Sequence, residues 1–313
     1  MTRGILFLAA GSLVASAQIK IGIIGTDTSH VPAFTRSFND PKSPDYVPGA
    51  RVVAAFKAGS PDVESSRTRV DGFAKEISEK WGVEIVPDIA TLLSKVDAVL
   101  IESVDGRTHL PQARAVIAAG KPFFVDKPLA STLADAREIA KLAAAAKVPW
   151  FSSSSLRYSE WVVALKAGGD IAGALAWSPG SFEEHHKVDL TWYGIHGVET
   201  LYALMGRGCG EVTRVATPDM DEISCRWNDG RIGSVRVIRP KTTYGAVVFR
   251  KNGSVSTSPA DAKVNYTALV REIAKFFQTG KSPVPPAETL EIMEFMDAAQ
   301  RSKDSGGKPI RIR

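Results

Sequence analysis

The chain has 313 residues, with 39 Lys and Arg against 34 Asp and Glu and a formal net charge of +5. Hydrophobic residues make up 44% and charged residues 23%, the balance of an ordinary globular protein with room for two domains. The charges are interspersed, with no basic run carrying interleaved aromatics, so nucleic acid is not expected as a partner.

The chain opens with Arg3, a short apolar stretch over residues 5–14, and Ala15-Ser16-Ala17, a small-x-small cleavage site. The apolar stretch falls short of the ~20 residues needed to span a bilayer. Residues 1–17 are therefore expected to be a signal peptide, cleaved after Ala17. The mature chain would be periplasmic or secreted, with no membrane association once cut. Arg3 stands alone, so the twin-arginine signal is absent.

Residues 19–25 form an apolar run ending in Gly25, which reads as a buried parallel strand. A helix should follow from residue 29 or 31 to about 38, with Pro32 in its first turn. Further strands are predicted over 51–56, 83–86, 98–101 and 122–125. Helices are predicted over 63–81, 89–95, 109–119 and 131–147, with Ser131 as the N-cap of the last. This alternation predicts a doubly wound parallel sheet over 18–150, with the strands' C-terminal ends on one ligand-binding edge.

Beyond Pro149 the rhythm changes. Strands are predicted over 212–215, 222–227, 232–238 and 245–250, with Asp229-Gly230 as a hairpin turn. Helices are predicted over 268–277 and 287–302. Residues 151–313 thus read as an α+β domain with a mostly antiparallel sheet, whose last helix is free to pack back on the first domain. That sheet is also the expected route to a homo-oligomer. Cys209 and Cys225 have no metal-ligand spacing. An exported chain could join them, but two buried free thiols are the favoured reading.

Four stretches carry candidate chemistry. The turn Gly25-Thr26-Asp27-Thr28-Ser29 sits where a dinucleotide fold cradles pyrophosphate, yet Asp27 and His30 replace two of the three usual glycines. Thr26, Thr28 and Ser29 offer hydroxyls there; a plain polar turn is the alternative. Lys57 stands at the end of the second strand, where an acid would hold the ribose hydroxyls of NAD. A Lys there suits the 2′-phosphate of NADP, so NADP is slightly favoured; a solvated surface Lys is the alternative. Lys127 ends a buried strand on the ligand edge, where an ammonium can bind a hydroxyl or steady its proton. Glu183-Glu184-His185-His186-Lys187 is dense in polar groups. Its adjacent histidines are poorly placed for one metal ion, so no metal is expected. Substrate hydrogen bonding by His185 and Lys187 is favoured over a surface loop.

The run Gly120-Lys121-Pro122-Phe123-Phe124-Val125-Asp126-Lys127-Pro128-Leu129-Ala130, after Glu102-Ser103-Val104-Asp105-Gly106-Arg107-Thr108-His109, resembles the Gfo/Idh/MocA oxidoreductase family. Asp126 stands where that family has Glu. The resemblance covers most of the mature chain and is sharpest over 98–147. It implies an NAD or NADP cofactor held by the first turn, Ser103, Asp105, His109, Asp126 and Lys127. It also implies that Lys127 and His196 face each other as the catalytic pair. Arg157 and Tyr193 would contact substrate. The acid often found four residues before the His is absent: that position is Trp192, and the nearest preceding Asp is Asp189.

Three functions follow. The leading one is NAD(P)-dependent oxidation of a hydroxyl on a small sugar or cyclitol. The second is glycoside cleavage through a tightly bound nicotinamide that oxidises the sugar transiently. The third is a sugar-binding module that kept the fold and holds no cofactor.

Overall fold

The computed structural model describes residues 18–312, so the expected signal peptide lies outside the described residues. The first domain runs β1 (Ile19–Ile24), α1 (His30–Asn39), β2 (Ala50–Phe56), α2 (Glu64–Arg67), α3 (Val70–Trp81), β3 (Glu84–Val86), α4 (Ile89–Lys95), β4 (Ala98–Ile101), α5 (His109–Ala118), β5 (Phe123–Asp126), α6 (Leu133–Ala146) and β6 (Trp150–Ser153). The second runs α7 (Glu160–Ala167), β7 (Ile171–Pro179), α8 (Ile195–Met205), β8 (Cys209–Ala216), β9 (Met220–Trp227), β10 (Ile232–Ile238), β11 (Gly245–Arg250), β12 (Val255–Thr257), α9 (Thr267–Thr279), α10 (Pro286–Asp304) and β13 (Ile310–Arg311).

The six strands of the first sheet are all parallel, in the order β3-β2-β1-β4-β5-β6. This is the doubly wound arrangement the strand–helix alternation predicts. β1 pairs with β2 on one side and β4 on the other, so the switch point lies at its C-terminal end. Both faces are apolar because both are covered. Ile21, Ile23, Phe34, Leu100, Phe124 and Phe151 fill one side. Ile24, Val99, Ile101, Val125, Ala136 and Ile139 fill the other.

The second sheet has seven strands in the order β12-β11-β7-β10-β9-β8-β13. Its one parallel pairing is β7 with β10; the remaining pairings are antiparallel. α8 and α10 pack on one face. The sheet also carries large apolar side chains in the open, including Ile232 and Val255.

Four local expectations need correction. The single helix over 63–81 is broken at Thr68 and Arg69 into α2 and α3, and the Ser66 hydroxyl of α2 is bonded to Asp27 and the Ser60 N–H. The N-cap of α6 is Thr132, which accepts from the Asp135 N–H, and not Ser131. The strand β7 was not predicted at all, although it lies in the middle of the second sheet. Finally, Cys209 and Cys225 are joined as a disulfide, not free thiols; β8 and β9 pair in a register that brings the two cysteines together. The bond closes a loop of sequence separation 16. Replacing both cysteines by Ala is expected to lower unfolding stability by about 3 kcal/mol, read from urea unfolding fitted with the slope free, since the uncrosslinked chain unfolds to a more expanded state.

Two C-terminal helices cross back to the first domain. α9 sends Leu269, Val270, Ile273 and Phe276 into the core beside β1 and β5, with Phe276 edge-on to Phe151 at 5.0 Å. α10 packs Phe295, Met296 and Ala299 into the core shared with α6. The domains are thereby held with the ends of β1, β4 and β5 facing the loop before α8.

Candidate active site

A cleft of about 360 Å³ lies at that junction, at the small end of the range for ligand pockets. Its floor is the start of α1, with Thr28, Ser29 and His30. Lys127 enters from the end of β5, and His196 from the first turn of α8. Trp192, Tyr193, Tyr244 and Tyr266 form aromatic walls.

Lys127 and His196 both lie against Tyr193. The Lys127 Nζ sits 5.7 Å from the Tyr193 ring centre, and the His196 ring is 5.9 Å from it. Lys127 Nζ has no hydrogen-bond or ion-pair partner among the described residues. The His196 Nδ1 is 2.8 Å from Ser154 Oγ, which leaves Nε2 to the cleft. Burial, then the Lys127 charge, hold the imidazole well below its ordinary pKa of 6.5.

A buried polar cluster lies beneath the pair. Asp126, the last residue of β5, accepts from the His30 ring at 2.7 Å. Burial pushes Asp126 up, but the charge and hydrogen bond of His30 outweigh it and leave the carboxyl below its ordinary range. Glu102, after β4, is fully buried and neither of its oxygens has a partner among the described residues. Burial and then the Asp126 charge push its pKa well up, so it keeps its proton to higher pH. His30, Glu102 and Asp126 bring their ligand atoms within 4.8 Å of one another. The Lys127 charge already acts on both carboxylates.

The expected site residues divide. Thr28, Ser29, Lys127, Tyr193 and His196 meet in the cleft, and Asp126 stands just under it. Arg157 does not: it is buried between Glu199 at 2.9 Å and Glu288 at 2.6 Å and clamps α8 to α10. His109 is fully buried, with ring nitrogens against the carbonyls of Ser103, Pro128 and Leu129, so it braces the strand ends and does not line the cleft. Ser103 bonds Gln112. Lys57 pairs with Asp71 on the surface at 2.7 Å, outside the cleft. Lys187 is exposed, and His185 pairs with Glu183 at 2.6 Å. Asp189 is turned away to Arg214 and Lys303. Gly25 takes φ +90 and its missing Cβ leaves room for Ser103, so glycine is required there.

The sequence reading missed His30 as a ligand-facing group. It also chose His185 where its neighbour His186 is the buried one, bonded to Asp105 at 3.0 Å. The paired signal for His30 was an acid ending one strand and a His opening the first helix.

For a nicotinamide dinucleotide the cleft fits at one end. The start of α1, with Thr28 and Ser29, would hold phosphate, helped by Arg69 and by Ser65, whose buried hydroxyl has no partner among the described residues. Lys127 and His196 would flank the nicotinamide. The adenosine end does not fit as the loops stand, because Asp27 and its partners occupy it.

A parallel sheet with a switch-point crevice, joined to an antiparallel sheet across a polar cleft, defines a two-domain protein built on a dinucleotide-binding fold. Residues 19–153 match the model of the oxidoreductase family with an NAD-binding Rossmann fold. In this domain the chain is similar to the Gfo/Idh/MocA oxidoreductases. It is 33% identical over 158 residues to an inositol 2-dehydrogenase of Paracoccus denitrificans, covering 50% of this chain and 43% of that protein. It is 26% identical over 240 residues to inositol 2-dehydrogenase 3 of Saccharopolyspora erythraea, covering 72% and 58%. The matched stretches thus span about half the length of these relatives. Among solved structures, the myo-inositol dehydrogenase of Lactobacillus casei in complex with NAD(H) and myo-inositol superposes with a TM-score of 0.73 at 18% identity, covering 95% of this chain and 97% of that one. An oxidoreductase of Agrobacterium radiobacter, in complex with NAD+, L-tartaric acid and magnesium, gives 0.72 at 17%, covering 94% and 98%. At these identities the likeness is one of fold.

Proposed function

We propose that the chain is an oxidoreductase acting on a hydroxyl of a sugar or cyclitol bound in the inter-domain cleft. The observation that carries this reading is the Lys127 ammonium, unpaired among the described residues, beside an imidazole that burial keeps neutral, both facing one small polar cavity. The inositol dehydrogenases among its relatives support the substrate class.

The residues would act as follows. The aromatic walls take the C–H faces of a ring, and His30 and Ser29 offer polar contacts to its hydroxyls. His196, with Nδ1–H donating to Ser154 Oγ, presents a lone pair on Nε2 that accepts the hydroxyl proton. Lys127 stabilises the alkoxide that develops as the proton leaves. A nicotinamide, when bound, supplies the hydride acceptor for such chemistry.

The test is a panel of cyclitols and aldoses with NAD+ and NADP+, followed by the absorbance of reduced nicotinamide. Turnover of at least one polyol supports the reading; none across the panel would defeat it. A second reading, a polyol-binding module without turnover, is favoured by the occupied adenosine end. Calorimetric binding of a polyol with no turnover would select it.

The His196 shift fixes a pH dependence. With its folded pKa below 6.5, the base stays available as pH falls through the ordinary histidine range. The acid limb of kcat/KM is expected below 6.5, and Lys127→Met should move the NMR titration of His196 upward by removing a cation. An unmoved titration would separate the two side chains.

This proposal also includes export and self-association. Residues 1–17 would be removed from secreted material, which N-terminal sequencing checks against a start at Met1. A second copy would cover the open face of the second sheet; a monomer in sedimentation would exclude this.

A further inference from the structure

In a sheet of this order the crevice opens above β1, between the loops that follow β2 and β4. A bound dinucleotide would lay its adenosine ribose against the end of β2. In this chain those two loops are bonded to each other across that space.

The Asp27 carboxylate starts the closure. It accepts from Ser66 Oγ at 2.6 Å and from the Val104 N–H at 2.9 Å, so one side chain of the first turn touches both loops. Ser66 Oγ accepts from the Ser60 N–H at 2.7 Å. Ser60 Oγ then donates to Asp105 Oδ2 at 2.6 Å. Arg107 reaches the other way and donates to both oxygens of Asp62, at 2.8 and 2.9 Å. From the second domain, His186 lies 3.0 Å from Asp105 and seals the top. Thr26, Asp27 and Asp105 retain no exposed surface. Nothing the size of an adenosine can lie there with these bonds intact.

The nicotinamide end is open by contrast, with Ser29, Lys127 and His196 on the cleft. One half of the crevice is thus free while the other is filled by the chain's own polar groups.

We infer that the loops after β2 and β4 form a latch over the adenosine half-site, so that a whole dinucleotide enters only when the Ser60–Asp105 and Asp62–Arg107 contacts open. The substrate end takes a small polyol with the latch closed. This rests on reading the cleft as an oxidoreductase site, and it adds a gate that the family fold alone does not imply. A latch that must open lowers the apparent affinity of the ligand by the fraction of open molecules.

The test uses three probes that separate the two ends: NADH, AMP and nicotinamide mononucleotide. Each is titrated against the full chain and its Ser60→Ala/Asp62→Ala variant, by NADH fluorescence and by calorimetry. Loosening the latch is expected to tighten NADH and AMP at least about tenfold and to leave nicotinamide mononucleotide unchanged. Equal or weaker NADH and AMP binding in the variant would overturn the latch, and so would tightening of all three probes alike. Should the double variant fail to fold, Asp62→Ala alone, at a side chain 45% exposed, gives the same comparison. If no polyol is turned over but AMP still tightens, the oxidoreductase reading fails and the latch stands.

Discussion

Replacing Lys127 or His196 by alanine is expected to lower turnover about 10²–10⁴-fold, with thermal unfolding close to that of the parent chain. The two side chains come from different domains, from the end of β5 and the start of α8, so only the assembled cleft brings them to one ligand. Each does what the other cannot. His196 is held neutral by burial and so can accept a proton at neutral pH, while Lys127 is a cation placed to steady the alkoxide as it develops. The fold should survive because Lys127 Nζ bonds nothing among the described residues and His196 bonds a single hydroxyl. His196→Gln gives a further check: an amide can replace the contact to Ser154 but cannot accept a proton as a base. It should keep polyol affinity and lose kcat, where a merely structural histidine would let Gln restore both.

Arg214→Ala is expected to cost about 3–5 kcal/mol of stability, the usual penalty for breaking a buried ion pair from one side. The Arg214 guanidinium is fully buried. It donates to both oxygens of Asp189, at 2.8 and 3.0 Å, and to Asp221 at 3.2 Å. Its removal leaves Asp221, itself fully buried, with Arg239 as its remaining cation. Asp189 keeps Lys303, which is partly exposed, so the loss falls mainly on the interior pair. Asp189 belongs to the loop that carries Trp192 and Tyr193 into the cleft. The variant should therefore raise KM for the polyol more than it lowers kcat. Urea unfolding measures the first effect and steady-state kinetics the second. A loss under about 1 kcal/mol, the scale of exposed pairs, would show that the triad is dispensable.

Local pattern reached the first sheet well. Its strands are short apolar runs bounded by Gly or charged residues, and burial on both faces makes such runs plain. β7 was missed for the same reason inverted: Ile171-Ala172-Gly173-Ala174-Leu175-Ala176 is rich in small residues and lacks the β-branched signal, yet β10 and β11 pair with it on both sides. Partners distant in sequence were beyond local reading. Arg157 is claimed by Glu288, 131 residues away, and His30 by Asp126, 96 residues away. Asp27 showed only as a departure from a glycine pattern. That its carboxylate would reach Ser66 and Val104 depends on how the loop after β2 folds back. Lys127 was read from its place at the end of a buried strand on the ligand edge and His196 from the family resemblance; the fold brings both side chains to one cleft.

The cleft's role is tested most directly by one paired measurement: polyol binding by calorimetry and turnover by reduced-nicotinamide absorbance, on the parent chain, Lys127→Ala and His196→Ala. The arrangement of Lys127, His196 and Tyr193 predicts a cyclitol or sugar that the parent binds and oxidises, and that both variants still bind but turn over at least about 10²-fold more slowly. Variants that oxidise the same polyol at the parent rate would contradict it.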